Sequence, residues 1–322
     1  MHGRPTIKVK RKAGKALLAR KDGSDLVWLL GQPQLGEYLD FVKAKVIGGG
    51  DEDPRKLADE WRVANDIYAE LEKSEAGYAD ETRRRPVGGA LKPLVSQLEQ
   101  NPWFRDSFDN LPYAVERVEL DRLVASQIHV ERAFTKAFLA RLGSMSEEEL
   151  FNFCLPVDKP QPPVTITRLS SDRYLFMSPS TDFRSHSPRL LKPEELPNLV
   201  SSGPVAAFLG VAVGFGSNFL SAVRSGTRIC LQNGYHRAYA LRCAGQKYAY
   251  CVVEDVTRKD ELRLTADDTV TEDPEFYFAS KRPPLIKDFF DPRLAKRMRV
   301  KPMRNHVEVE IKVRSGIATD WS

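Results

Sequence analysis

The strongest amphipathic pattern in the chain lies between residues 53 and 74. Asp53 followed by Pro54 is typical of a helix start, because the aspartate caps the first turn and proline suits the first helical position. Apolar residues then recur at three- and four-residue spacing along one stripe, at Leu57, Trp61, Ala64, Tyr68 and Leu71. This pattern predicts an amphipathic helix with one buried face.

Alternation of apolar and polar residues predicts strands near both ends of the chain. In the last one, charged residues alternate with an apolar series, Val307, Val309, Ile311 and Val313. Residues 6–10 alternate in the same way within the most basic region of the sequence. A solvated edge strand and a contact to a phosphate backbone both remain open for this basic region. The sequence permits a pairing of residues 7–9 with the last strand but does not establish it.

Shorter patterns predict further elements between these ends. The expected helices lie at 91–98, 130–142 and 219–224, after the capping box of Ser146 and Glu149, and after Asp291-Pro292. The expected strands lie at 27–30, 115–120, 164–169 and 173–177, and the last two form a hairpin. Arg83-Arg84-Arg85 opens a predicted basic loop at 83–89, which is a further candidate for phosphate contact.

One segment combines secondary-structure signals with chemistry. The apolar run 229–231 predicts a strand, Asn233-Gly234 a tight turn, and residues 235–244 a helix that Gly245 ends before a second strand at 248–253. The first backbone N–H groups of a helix lack internal partners and carry partial positive charge. A phosphate or carboxylate is therefore expected at this helix start, with His236 and Arg237 closing over it.

The residue types in this segment suggest separate roles. Arginine grips phosphate with a fixed fork of donors, whereas His236 can donate a hydrogen bond or shuttle a proton near neutral pH. Tyr235 belongs to the expected ligand contacts, although core packing is the alternative for it and for Tyr239. The predicted ligand-binding residues are Asn233, Gly234, Tyr235, His236, Arg237, Gly214, Gly216, Ser217 and Asn218, the last four from a glycine-rich stretch just upstream.

Residues 233–245 resemble the Gly-x-x-Arg-x-x-Ala box of the ParB-like and sulfiredoxin-like (ParB/Srx) superfamily. Residues 115–123 resemble the opening strand and turn of the same domain. The resemblance implies an α/β (α+β) fold: a ParB/Srx-like core of mixed sheet and helices, with a partly helical N-terminal region and a C-terminal strand. It spans about 140 residues, which is longer than the usual core, so the hairpin at 164–177 and the loop that follows are expected to be an insertion.

The resemblance also implies a bound nucleotide or phosphoryl group beside the box. Family activities include CTP binding and hydrolysis, DNA binding or cleavage, and phosphorylation of free amino acids. Tyr235 stands where sulfiredoxins carry a reactive cysteine, which argues against sulfinic-acid reduction. His236 and Arg237 stand where partition proteins usually have two arginines, which argues against CTP hydrolysis. By family analogy Glu119 and Asp121 are the candidate catalytic carboxylates beside His236, and Mg²⁺ would arrive with the nucleotide rather than in a protein-made metal site.

Composition sets the outer limits of these expectations. The chain has 322 residues and a formal net charge of +5, which suits a polyanionic partner without demanding one. We expect three regions: 1–112 with a basic β element and helices, 113–258 as the ParB-like core with its insertion, and 259–322 as a C-terminal extension. The four cysteines form no Cys-x-x-Cys pair, and the uncharged run at 196–223 is interrupted by glycine and proline. We therefore expect a cytoplasmic protein without a membrane span.

The sequence leads to one preferred function and two alternatives. The preferred hypothesis is a ParB-like domain that binds a nucleotide or another phosphorylated ligand and that hydrolyses or transfers phosphate if its carboxylates reach the ligand. The first alternative is a non-catalytic adaptor that binds protein or nucleic acid. The second is a ParB-like nuclease. The sequence leaves the ligand and the oligomeric state open.

Overall fold

The computed structural model of the chain describes residues 23–32, 34–142, 145–157, 161–180, 182–196 and 203–316. Helices and mixed sheets both occur, which confirms the predicted α/β fold class. The predicted basic strand at residues 6–10 lies outside the described residues. Within the described part of the chain, no helix has the length and apolar character needed to cross a bilayer.

The chain folds as two compact units. The larger unit comprises the described residues of Lys21–Lys159 and Ser217–Pro302, and the smaller unit those of Pro160–Gly216 and Met303–Ser322. This division differs from the predicted boundaries after residues 112 and 258. The reason is that residues from both ends of this range share cores: α3 and α4 pack with the central strands and Phe289, whereas α1 and α2 pack with β1 and β15 in a second core. The predicted insertion instead forms its own unit together with the last strand.

The helices all belong to the larger unit among the described residues: α1 Leu35–Lys45, α2 Pro54–Ser74, α3 Lys92–Gln100, α4 Pro102–Phe108, α5 Arg132–Leu142, α6 Glu147–Cys154, α7 Tyr235–Cys243, α8 Lys259–Thr265, α9 Asp268–Glu272 and α10 Pro274–Phe278. The strands in chain order are β1 Ser24–Leu29, β2 Arg84–Pro86, β3 Tyr113–Glu119, β4 Val124–Ala125, β5 His129–Glu131, β6 Thr165–Arg168, β7 Arg173–Ser178, β8 Phe183–Ser185, β9 Arg189–Leu191, β10 Phe208–Gly210, β11 Val213–Phe215, β12 Ser221–Ser225, β13 Arg228–Asn233, β14 Tyr248–Val256, β15 Ala295–Val300 and β16 Asn305–Glu310. Short 3₁₀ helices span Gly49–Asp51, Tyr78–Glu81, Gly89–Leu91, Leu120–Arg122, Pro193–Glu195 and Ile286–Phe290.

A six-stranded sheet forms the centre of the larger unit, with strand order β2-β3-β14-β12-β13-β4. Strand β14 is antiparallel to β3 and parallel to β12, and β12 and β13 form an antiparallel hairpin. Residues 249–254 of β14 are buried, as expected for a strand with neighbours on both sides and helices over its faces. The strand-turn-helix-strand order predicted for residues 229–253 is confirmed by β13, α7 and β14.

A second sheet of the larger unit, with order β15-β1-β5, packs against α1 and α2. The predicted start of α2 is confirmed, because the Asp53 side chain accepts a hydrogen bond from the N–H of Arg55 at 2.9 Å. The predicted stripe is also confirmed: Leu57, Ala64 and Tyr68 are buried in this second core. The helix is therefore held by its apolar face rather than by propensity alone.

The smaller unit is built from strands. Its three-stranded sheet has the order β16-β7-β6, and β8 pairs with β11 while β9 pairs with β10. The predicted hairpin is confirmed as β6 and β7. The predicted last strand is confirmed as β16 for its first part, in which Val307 and Val309 are half-buried and Glu308 and Glu310 are exposed. The strand ends at Glu310, so Ile311 and Val313, which were predicted to continue its buried face, lie outside it and are exposed.

Two predicted helices are wrong, and both segments are strands. Residues 221–225 form β12 in the middle of the six-stranded sheet, and residues 295–300 form β15, which pairs with β1 along its whole length. Tertiary pairing decides such short segments, because their local patterns fit either structure. The predicted basic loop at 83–89 likewise contains β2, which pairs with β3 at the edge of the sheet.

A buried ion cluster fastens the segment at 282–288 to the end of α2. Arg282 donates hydrogen bonds to both carboxylate oxygens of Asp288, one of them at 2.7 Å, and to Glu75 at 3.0 Å. Arg282 and Asp288 are both buried, and Glu75 also binds Lys287 at 2.6 Å. A buried carboxylate that loses its cation is left without compensation for its lost hydration.

We expect Arg282→Met to lower the free energy of unfolding by about 3–5 kcal/mol, since it leaves Asp288 buried without its cation. The matched control is Arg62→Met, which breaks the exposed pair of Arg62 with Asp59 and should cost less than about 1 kcal/mol. Urea unfolding monitored by tryptophan fluorescence measures both. Equal losses in the two variants would contradict a stabilising role for the buried cluster.

His129 is a group through which we expect the larger unit to lose stability in mild acid. Its ring stacks on Trp28 at a centroid distance of 5.8 Å, and burial lowers the pKa of the imidazole. The unfolded chain therefore binds a proton at a higher pH than the folded chain, so stability is present above the unfolded pKa of about 6.5 and falls as the pH drops below it.

We expect the free energy of unfolding to fall by up to about 1.4 kcal/mol per pH unit below pH 6.5 because of His129. His129→Gln should show a shallower decline over the same range, since glutamine does not titrate. Chemical denaturation at a series of pH values gives both slopes. Parallel slopes for wild type and variant would show that His129 is not the titrating group.

Candidate functional site

The predicted ligand site begins at the turn between β13 and α7. Gly234 has φ +96°, a backbone conformation that L side chains rarely adopt. A Cβ atom built there would lie 3.0 Å from the Cγ atom of Leu220. The N–H groups of Arg237 and Ala238 both bond the carbonyl of Gly234 at 2.9 Å, so the helix begins immediately after the turn. Glycine is required here for both its conformation and its size.

Tyr235 fixes the first turn of α7 from inside the protein. Its hydroxyl donates to the carbonyl of Leu231 at 2.6 Å and accepts the backbone N–H of Ser126 at 2.8 Å. The ring is buried, and burial raises the pKa of the hydroxyl well above its usual value. Of the two roles considered from the sequence, core packing is therefore the one that the geometry of Tyr235 supports, rather than stacking on a base.

Arg237 is also directed into the protein. The residue is 6% exposed, and its guanidinium donates to the carbonyl of Cys154 at 2.7 Å and to the side-chain oxygen of Asn218. The sequence predicted that Arg237 is the main phosphate contact. In the structure its donors serve protein acceptors, so Arg237 positions the segment at 217–220 and contributes its charge from beneath the helix start.

The remaining predicted residues of this site gather around the same turn. Asn233 donates from its amide to the carbonyl of Ser217 at 2.6 Å, which ties the segment before β12 to the end of β13. His236 is half-buried on the first turn of α7, and its ring packs edge-on against Phe134 at a centroid distance of 5.3 Å. Asn233 and Ser217 are thus joined at the turn and Asn218 is held there by Arg237, while His236 lies on the adjacent helical turn against Phe134. That these residues bind a ligand stays a prediction.

Gly214 and Gly216 belong to the smaller unit, unlike the other predicted ligand contacts. Gly214 lies in β11 opposite Arg184, and the N–H of Gly216 bonds the carbonyl of Asp182 at 2.9 Å. Both glycines therefore have a structural place in the strand pair β8–β11. The sequence-based reason for choosing them was that glycines let backbone amides approach a ligand, whereas here Gly214 lies in a strand and the amide of Gly216 bonds Asp182.

The two candidate catalytic carboxylates lie at the other end of α7. Asp121 forms an ion pair with Arg242, in the last turn of the helix, at 2.6 Å. Glu119 lies 3.4 Å from Arg122. His236 is six residues before Arg242, which corresponds to about 9 Å along a helix axis. The structure therefore does not bring Glu119 and Asp121 to the helix start, because arginines near the far end of α7 hold them.

Sequence reasoning missed the groups that anchor the turn. Ser126 binds Tyr235 and also donates from its hydroxyl to Asp267 at 2.8 Å, and the carbonyl of Cys154 accepts from Arg237. These partners are more than 80 residues away along the chain from the residues they hold, and their identities carry no local signal. A buried serine and a backbone carbonyl can be found only from the folded structure.

The described side chains around the helix start do not form a metal site. Within the described ranges, no group of three or more His, Cys, Asp or Glu side chains could hold a metal ion. Glu119 and Asp121 do not suit an ion carried by a nucleotide at the helix start, since both are held by arginines away from it.

Comparison of the chain with family models, curated proteins and solved structures found no match. The resemblance to the ParB/Srx superfamily therefore stays a prediction.

We expect Gly234→Ala to be more destabilising than Gly245→Ala, although both glycines have positive φ. Gly245 has open space around its Cα, so alanine should cost only the conformational penalty of about 1–2 kcal/mol. At Gly234 the crowding by Leu220 should add about 1–3 kcal/mol. Thermal unfolding of the two variants gives the difference. Equal losses would show that Leu220 yields freely.

Proposed function

We propose that the larger unit binds a nucleotide or another phosphorylated small molecule at the start of α7. The observation that carries this proposal is the fixed turn at Gly234, from which the helix begins with His236 in its first turn. Backbone N–H groups at such a start attract anionic oxygens, and the helix dipole adds to the attraction. The protein supplies a turn whose shape is set before a ligand arrives.

Three contacts preorganise this turn. Tyr235 is locked by Ser126 and Leu231, Asn233 is tied to Ser217, and Arg237 holds Asn218. Preorganised donors bind an anion without a further ordering cost. In this role the charge of Arg237 favours an anion through the electrostatic field, and the half-buried His236 is the side chain that we propose to contact it directly. Because the thiols of all four cysteines are free, we place this binding in the cytoplasm.

The proposed activity is binding without phosphoryl transfer by Glu119 or Asp121. Asp121 is paired with Arg242 in the last turn of α7, and Glu119 is paired with Arg122, so neither carboxylate is held at the helix start. A general base must reach the proton that it removes, within hydrogen-bond distance or through one water. A non-catalytic adaptor is the second candidate function, and the same pairing of the carboxylates away from the helix start favours it over a nuclease.

We expect a nucleotide to raise the thermal stability of the protein and His236→Ala to abolish that effect. A ligand at 100 times its dissociation constant should add about 2.7 kcal/mol to the free energy of unfolding. A thermal-shift screen of nucleoside mono-, di- and triphosphates, with and without magnesium, measures the effect. His236 is preferred to Arg237 as the test position, because loss of the buried Arg237 would itself destabilise the fold.

The matched control is His306→Ala, which removes an exposed histidine from β16 in the smaller unit. It should leave the ligand-induced shift unchanged. A shift that survives in His236→Ala would exclude the helix start as the binding site. The absence of a shift with every nucleotide would favour the adaptor.

A further inference from the structure

We infer that the tip of the six-stranded sheet, formed by β2, β3 and the start of β14, is a second anion site in which Arg85 and Arg117 bind a phosphate group. This site is separate from the proposed function, because it lies elsewhere on the larger unit. The two sites lie at different heights along β14. Asn233 pairs with Ser221, and Ser221 pairs with Val252 of β14, whereas the tip is at Tyr248 of the same strand. Four residues of strand separate the two levels, or about 13 Å.

The strand register places two arginines directly opposite each other. Strand β2 is antiparallel to β3, with Arg85 opposite Arg117. The N–H of Glu119 bonds the carbonyl of Arg83 at 3.0 Å, so these two residues form a hydrogen-bonded pair of the antiparallel ladder. Such pairs recur every second residue, so Arg85 and Arg117 also form a hydrogen-bonded pair. Directly opposite side chains share one face of the sheet, and like charges in that position are destabilising. The two cations therefore do not attract each other in the absence of a ligand.

The two guanidinium groups converge on one ring. The Cζ atom of Arg85 lies 4.6 Å from the ring centroid of Tyr248, and that of Arg117 lies 5.9 Å from the same centroid. Arg117 also lies 5.4 Å from the ring centroid of Tyr250, so cation–π attraction to these two tyrosines holds the cations in place. Arginines fixed in this way lose little entropy when they bind a phosphate oxygen, and their forked donors suit that geometry.

The charges at the tip are only partly compensated. Arg117 has Glu147 at 3.5 Å, but its Nε is buried and has no hydrogen-bond partner within the described residues. Arg85 is exposed and has no carboxylate within ion-pair distance in the same part of the chain. The exposed Lys247 directly precedes Tyr248. Opposed like charges that the fold compensates only in part are typical of a functional position.

The edge strand β2 is better suited to bind a ligand through its side chains than to pair with another strand through its backbone. In this register Arg84 and Pro86 direct their backbone groups away from β3, and proline has no N–H to donate. A partner strand would therefore find a poor ladder at β2. Arg84 points to the opposite face from Arg85 and is neutralised by Glu116 at 3.0 Å. The uncompensated positive charge at the tip therefore comes from Arg85, with Arg117 and Lys247 beside it.

We expect Arg85→Gln to weaken the binding of phosphate-containing probes by about tenfold or more, since a forked arginine contact is lost. The probes are inorganic pyrophosphate, measured by calorimetry, and a short fluorescent oligothymidylate, measured by anisotropy. Both are used at low ionic strength, where surface electrostatics are least screened. Tight binding of pyrophosphate alone would identify a small phosphorylated ligand, and preferential binding of the oligonucleotide would identify a nucleic-acid backbone.

Arg84→Gln is the matched control, because it removes the same charge from the adjacent residue on the other face. It should bind both probes with nearly wild-type affinity. Without any anion, Arg85→Gln should also melt at the same temperature as wild type or higher, since the opposed charges are relieved. Equal weakening by the two substitutions, unchanged binding in Arg85→Gln, or no binding of either probe by wild type would overturn the proposal.

The outcome is independent of the test at the helix start. His236→Ala should leave the Arg85-dependent binding intact, and Arg85→Gln should leave the nucleotide-induced thermal shift dependent on His236. If one site fails its test, the other result still stands.

Discussion

The buried guanidinium of Arg237 is the constraint on which the arrangement around α7 depends. A charge that is removed from water must be matched by hydrogen-bond acceptors, and Arg237 finds them in the carbonyl of Cys154 and the amide oxygen of Asn218. The same carbonyl accepts the N–H of Leu220 at 3.0 Å. The end of α6, the segment before β12 and the first turn of α7 therefore meet at one cation. Leu220 in turn crowds Gly234, so the shape of the turn follows from this junction.

Local patterns in the sequence were sufficient for elements whose burial is periodic. The stripe of α2 and its Asp53 cap predicted a helix that the structure contains, and the alternation around Val307 predicted β16. The strand, turn and helix from residue 229 to residue 243 were also predicted, because Asn233-Gly234 separates two clear patterns. In each case the pattern lies within the element or a few residues from it. It predicts the element whichever part of the protein covers the apolar face.

Long-range pairing decided what the sequence could not. The local sequence of β12 is compatible with a helix as well as a strand. It forms a strand because β13 and β14 pair with its two edges. The roles of the site residues depend on distant partners in the same way. Arginine at a helix start is a good phosphate ligand in isolation, but residue 237 meets a carbonyl 83 positions away before any ligand arrives. Such a partner leaves no trace in the local sequence, so the helix start could be predicted while the direction of its arginine could not.

The two ends of α7 differ in charge, and this difference limits the chemistry of the helix start. Arg242 near the C-terminus complements the negative end of the helix dipole, and Asp121 completes the pair. The carboxylates that phosphoryl transfer would need are therefore used to stabilise the far end of the helix and the turn after β3. The first turn retains backbone donors, a histidine and the charge of a buried arginine. Such a set favours an anion in the ground state, and it contains no positioned base from Glu119 or Asp121 that would act on that anion.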